Sequence, residues 1–190
     1  MKTFLSMTKR NIKLFFKDKG MFFTSLITPV ILLVLYSTFL AKVYRDSFTS
    51  ALPEGFGVSD KLIGGMVGGE LFSSLLAVCC VTVAFCSNLL MVQDKVSGVR
   101  KDFDITPTKK STLAISYYVS SLLTTLIISL VATFASFAYI AIQGWFLSFG
   151  DVMLILLDVF MLTMFGTALS SVINFFLSTN GQASAVGTIV

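Results

Sequence analysis

The sequence contains no histidine, one tryptophan and three prolines. Without His it lacks the commonest protein metal ligand and the usual general base. Charge is scarce as well: 13% of residues are charged against 55% hydrophobic, too few polar side chains to coat a soluble globule of this size. Cys79, Cys80 and Cys86 fall in one apolar run, with no second cluster and no C-x-x-C spacing to build a zinc or redox site. They read as small packing residues. Nothing fits G-x-x-x-x-G-K-[ST], and the glycines at 64 to 69 lack the Lys that must reach a phosphate, so no ATP hydrolysis is expected of this chain itself. Ser-His-Asp and Cys-His arrangements are excluded, and no cluster of carboxylates is present. No catalytic residue, bound cofactor or metal is expected.

What is present in abundance is uncharged apolar sequence, with a mean hydropathy of +0.89. Residues 21–41, 71–92, 112–142 and 152–178 are each long enough to cross roughly 30 Å of hydrocarbon as a helix. They predict an all-α, polytopic transmembrane helix bundle forming a single domain over 1–190. Pro29 inside the first span predicts a kink, since it removes one backbone hydrogen bond. The third run exceeds one crossing, and its excess is expected to lie in the interface, marked by Tyr117 and Tyr118. Trp145, in the short turn at 143–151, sits where an interfacial anchor belongs. Residues 183–190 read as the start of a fifth span left unfinished where the sequence stops.

The flanks are polar in different ways. Residues 1–20 alternate basic and apolar, with Phe4, Thr8, Ile12, Phe15 and Phe16 near one helical face and Lys2, Lys9, Arg10, Lys13 and Lys17 mostly around the other. That pattern predicts an amphipathic interfacial helix lying along anionic headgroups. The 42–70 segment reads as an outer loop containing Pro53 and a run of glycines. Within it, Leu62–Gly69 admits two readings, a helix with overlapping G-x-x-x-G spacings or a flexible loop.

All 14 Lys and Arg residues lie at or before Lys110. Six precede the first span, three fall in 42–70, five in 93–110 and none in the third connection. Positive charge is retained on the cytoplasmic side, so the N-terminus and the 93–111 loop are expected inside and the 42–70 loop outside a multi-pass cell-membrane protein. The same distribution excludes nucleic acid as a partner, because the charges flank apolar runs and form no basic face on a soluble module.

The 93–111 loop is the most informative segment. Asp94 and Lys95 end the second span, Gly98 follows, then an amphipathic stretch through Phe103, then Thr106-Pro107 just before the third span. This pattern resembles the corresponding loop of type-2 ABC transporter permeases, the short membrane domains of bacterial drug and polysaccharide exporters. The likeness extends to the amphipathic first helix, the Pro-containing first span and the Ser178-Thr179-Asn180-Gly181-Gln182-Ala183 passage. It implies a permease subunit that forms a translocation pathway, pairs with a second permease copy and couples to a soluble ABC ATPase subunit that uses the ATP. The exported substrate is left unidentified.

On this reading Asp94, Gly98, Phe103, Thr106 and Pro107 are the ATPase-coupling residues. A short helix carrying both charge signs and an aromatic knob can dock in a cleft of a soluble partner, and Pro107 would stop it. The competing reading of the loop is an ordinary solvated connection, and of the chain a membrane scaffold or sensor that moves nothing.

Within the spans, Asp158 is a carboxylate where charge is costly, so it marks either the pathway or an outer end within reach of water. Asn88 is read chiefly as hydrogen-bonding across helices, with a pathway role as the alternative. Glu70, the third pathway candidate, is placed at the outer mouth of the second span.

Overall fold

The computed structural model describes residues 2–51, 60–145 and 147–187. The described chain is helical from end to end: α1 (Lys2–Lys17), α2 (Lys19–Leu35), a π-helical turn (Tyr36–Leu40), α3 (Ala41–Ala51), α4 (Asp60–Val96), α5 (Val99–Asp104), α6 (Lys110–Gly144), α7 (Phe149–Phe176) and α8 (Asn180–Gly187). Four continuous helical stretches are long and apolar enough to cross a membrane: Lys19–Ala51, Leu62–Val96, Lys110–Ile142 and Phe149–Phe176.

α4 is the axis of the bundle, the most enclosed of the four, and α2, α3, α6, α7 and α8 all pack against it. Its 37 residues span about 55 Å, well beyond the hydrocarbon layer. Much of the expected outer loop is therefore helix: 41–51 continues the first span and 60–70 begins the second. For Leu62–Gly69 the helical alternative holds, and Gly68 abuts Ile140 of α6. Pro53, Gly55 and Gly57 of that loop, and residues 188–190 of the expected fifth span, lie outside the described residues.

Small side chains set the helix spacing, because lipid tails are as apolar as Leu and cannot drive helices together by water exclusion. On α7 the buried stripe is Val159, Thr163, Gly166, Thr167, Ser170 and Asn174. A Cβ on Gly166 would stand 2.8 Å from the Cys80 carbonyl oxygen, so the backbones of α7 and α4 meet there. On α6, Ser120, Thr124, Thr133 and Ser136 are buried and donate back to their own helix's carbonyls. Cys79 and Cys80 are buried in α4, the Cys80 thiol 3.6 Å from the Ser129 hydroxyl.

α2 runs through Pro29, and the departure from α-helical bonding comes seven residues later. There Ala41 N–H bonds Tyr36 O, five residues back. The Ser37 and Thr38 hydroxyls both donate to Val34 O, competing for carbonyls of the preceding turn.

α1 joins α2 at Asp18, whose carboxylate accepts from Met21 N–H and opens α2. Its buried residues are Met7, Thr8, Asn11 and Phe15. The expected apolar face is thus rotated: Thr8 and Phe15 are buried, Phe4 and Ile12 half-buried and Phe16 exposed. The cause is α6, which receives this face of α1. At the far end of α6, Trp145 donates to Leu147 O at 2.8 Å, and Ser148 N–H donates to the Asp151 carboxylate at the start of α7.

Candidate functional site

At the α5 end of the bundle, the last turn of α4 carries Asp94 and Lys95, consecutive residues that grip different helices. Asp94 is only 5% exposed. Its carboxylate accepts both arms of the Arg10 guanidinium, at 2.8 and 3.1 Å, and the hydroxyl of Tyr117. The fork of Arg suits such a bidentate grip, and Arg10 is the one Arg among five Lys in the first nineteen residues. The hydrogen bond to Asp94 raises the Arg10 pKa, and the pair ties α1 and α6 to the end of α4.

Lys95 reaches the other way. Its ammonium donates to three carbonyls at the C-terminus of α7, Asn174 O (3.1 Å), Phe175 O (2.7 Å) and Leu177 O (2.8 Å). These carbonyls have no partner further along the helix, and the negative end of the helix dipole favours a cation there. The Phe175 ring lies 5.6 Å below the same nitrogen. α8, which begins four residues after α7 ends, is thereby held close to α4.

Gly98 follows at φ +84°, a left-handed conformation that turns the chain from α4 into α5. α5 ends at Asp104, two residues earlier than a stop at Pro107 alone would place it. The Thr106 hydroxyl donates to Phe103 O at 2.7 Å and closes the last turn. Pro107 lies in the extended passage between α5 and α6.

Of the loop residues expected to act together, Asp94 faces α1 and α6, Gly98 opens α5, Thr106 closes its last turn and Pro107 lies beyond it. Phe103 was expected as an outward knob, whereas its ring is half-buried, 5.4 Å beneath the Arg10 guanidinium. The apolar side chain that projects outward is Ile105, 86% exposed. It directly follows Asp104 in a charged segment, which masks it as a loop residue.

Arg10, Tyr117 and Lys95 were not among the expected coupling residues. Tyr117 carried an interfacial signal and Arg10 a place in a basic face, but no local pattern announces partners 84 and 23 residues away.

The three residues proposed for a pathway are not brought together. Asn88 is buried between α4 and α7, donating to Thr167 O at 3.5 Å and accepting from the Ser171 hydroxyl at 3.4 Å. Glu70 is exposed, 26 residues or about 39 Å up α4 from Val96. Asp158 is exposed on α7, about 27 Å from Phe176, and no described residue forms an ion pair or hydrogen bond with it.

Elsewhere, α2, α4 and α8 enclose a groove of ≈ 590 Å³. Its lining is uncharged, with Thr24, Thr28, Thr82, Gln93, Asn180 and Ser184 among apolar residues, and Gln93 directly precedes Asp94.

No curated protein and no solved structure matches the chain. A family model described as ABC-2 type transporter matches residues 2–190. A helical bundle with four membrane-crossing helices, matched by that model along nearly its whole length, belongs to the ABC-2 type transporter membrane family, and the chain is a permease component of an ABC transporter.

Proposed function

We propose that this permease is the membrane-spanning subunit of an exporter, with its N-terminus and α5 in the cytoplasm, coupled through α5 to a separate ABC ATPase subunit and paired with a second permease copy. The observation that carries the reading is the double grip of Asp94 and Lys95. A push on α5 is passed through Gly98 to the end of α4. From there it reaches α1 and α6 through Asp94, and the α7–α8 connection through Lys95.

One short helix on the cytoplasmic face thereby addresses four helices of the bundle. Ile105 and the charges of α5 form the surface offered to the ATPase, Thr106 and Pro107 fix where α5 ends, and Phe103 seats it under Arg10. ATP is bound and hydrolysed by the partner.

The uncharged groove between α2, α4 and α8 is the proposed pathway lining, adjoining the grip at Gln93. The buried Asn88 holds α4 to α7 beside it. Glu70 and Asp158 lie toward the outer face and meet cargo late in its passage.

The test is copurification of the permease with its soluble ATPase, followed by transport-linked ATP hydrolysis in vesicles. Substitution at Gly98, Ile105 or Pro107 is expected to abolish stimulated hydrolysis while membrane insertion is retained. Full stimulation with residues 98–107 scrambled would overturn the coupling assignment.

A further inference from the structure

α1 has three faces, and the bundle uses one of them. At 100° per residue, the buried Met7, Thr8, Asn11 and Phe15 occupy a sector of about 100° turned to α6. Next to it Leu5, Ile12 and Phe16 fall within about 40°, and of these Leu5 is 68% exposed and Phe16 39%. Beyond them Lys2, Lys9, Lys13 and Lys17, all exposed, fall within about 80°. α1 has no acidic residue.

Exposed apolar side chains beside a cationic strip, on a helix packed against a transmembrane bundle, match the edge of a leaflet, with acyl chains beside Leu5 and Phe16 and anionic headgroups beside the lysines. Arg10, on the border between the lysines and the buried face, is the residue bonded to Asp94 and stacked on Phe103.

We propose that α1 is a lipid-reading lever: anionic headgroups of the cytoplasmic leaflet hold its lysine strip, and the Arg10–Asp94 pair relays that hold to α5. The inference rests on the proposed function for the side on which α1 lies and for the ATPase that α5 meets. Its physical basis is additive: each Lys near an anionic surface contributes roughly fivefold in surface affinity at moderate salt, so four acting together fix the helix. Neutral lipid leaves the strip solvated and α1 held by the bundle alone, so α5 samples a wider range of positions. High ionic strength has the same effect, since these charges are exposed and screened within about 10 Å.

The test uses the permease–ATPase complex in vesicles of phosphatidylcholine alone, or with a third of it replaced by phosphatidylglycerol. Spin labels at Ser6 and Ser97 report the distance from α1 to the α4–α5 turn, and stimulated ATP hydrolysis is read in parallel. Anionic vesicles are expected to narrow the distance distribution and raise hydrolysis several-fold.

With Lys2, Lys9, Lys13 and Lys17 all changed to Gln, anionic vesicles should give the wild-type result of neutral vesicles; the same four changed to Arg should restore it. Inorganic phosphate added to neutral vesicles should do nothing. Equal distances in both lipids, an unaltered lipid response in the Gln variant, or replacement of the lipid by phosphate would each overturn the proposal. Absence of hydrolysis in every lipid would instead count against the proposed function, and the label distances would still decide the lipid question.

Discussion

Asp94 and Lys95 are neighbours in the chain and bind opposite sides of the bundle, the carboxylate holding Arg10 and Tyr117, the ammonium holding the carbonyl end of α7. One residue's rotation along α4, about 100°, separates the two grips.

Removing Arg10 leaves the buried Asp94 carboxylate with only the Tyr117 hydroxyl; because the pair is part-buried, the loss falls below the roughly 3–5 kcal/mol of a fully buried ion pair. Arg10→Gln is expected to destabilise the α5 end of the bundle. Asp94→Asn should cost less, because Arg10 is a third exposed and can reach water. The double variant should be less damaged than the sum of the singles, as read by thermal unfolding in detergent; strict additivity would show that the pair is not coupled.

Lys95→Met removes three hydrogen bonds to the end of α7 while keeping the length of the side chain. The expected result is looser α7–α8 packing, seen as faster hydrogen exchange at 178–184, with α1 protection unchanged. Lys95→Arg should recover most of the protection. Equal loss in α1 and α8 would mean that the end of α4 simply unfolds.

Gly166 permits backbone contact between α7 and α4, since a Cβ there would stand 2.8 Å from Cys80 O. Gly166→Ala should destabilise the chain by roughly 1–3 kcal/mol through overpacking against rigid backbone. Gly150, whose surroundings are open, serves as the control, and Gly150→Ala is expected to be near neutral. A Gly166→Ala melting point as high as that of the control would place the crossing elsewhere.

Gly98 has open space around its Cβ position, so any cost of substitution is conformational, from φ +84°. Gly98→Ala is expected to cost about 1–2 kcal/mol and to swing α5, whereas Asn, which tolerates this region better, should be milder. The order Gly, Asn, Ala in stimulated ATP hydrolysis checks this. Ala matching Gly would show that the turn is not held.

The four spans were legible because charge is excluded from them, a signal that needs no partner to interpret. The reach of α4 down to Asp60 was not, since charged and Gly-rich sequence beyond the hydrocarbon reads as loop although helix continues there. Which face of each span points inward was equally hidden: α4 and α7 are apolar all round, so periodicity says nothing and small residues such as Gly166 decide the packing. At the site, Asp94, Gly98 and Thr106 could be found from local pattern. Arg10 and Tyr117 could not, because their roles exist only after α1 and α6 are brought to α4. The seat of Phe103 was hidden for the same reason: its aromaticity was visible, but not the guanidinium 5.4 Å from its ring.

The π-helical turn at Tyr36–Leu40 has a consequence for register. Tyr36, Leu40, Tyr44 and Phe48 all pack against Ile63, Val67 and Leu71. A four-residue interval precesses by about 40° per step on an ideal α-helix, so an unbroken helix would carry the last of these side chains off the seam. The one wide turn absorbs part of that precession. Were the same residues wound as regular α-helix, everything from 41 onward would turn by about 100°, taking Tyr44 and Phe48 away from α4 and unzipping the C-terminal third of the first span, whereas deleting one residue in the turn would restore regular winding and keep that facing.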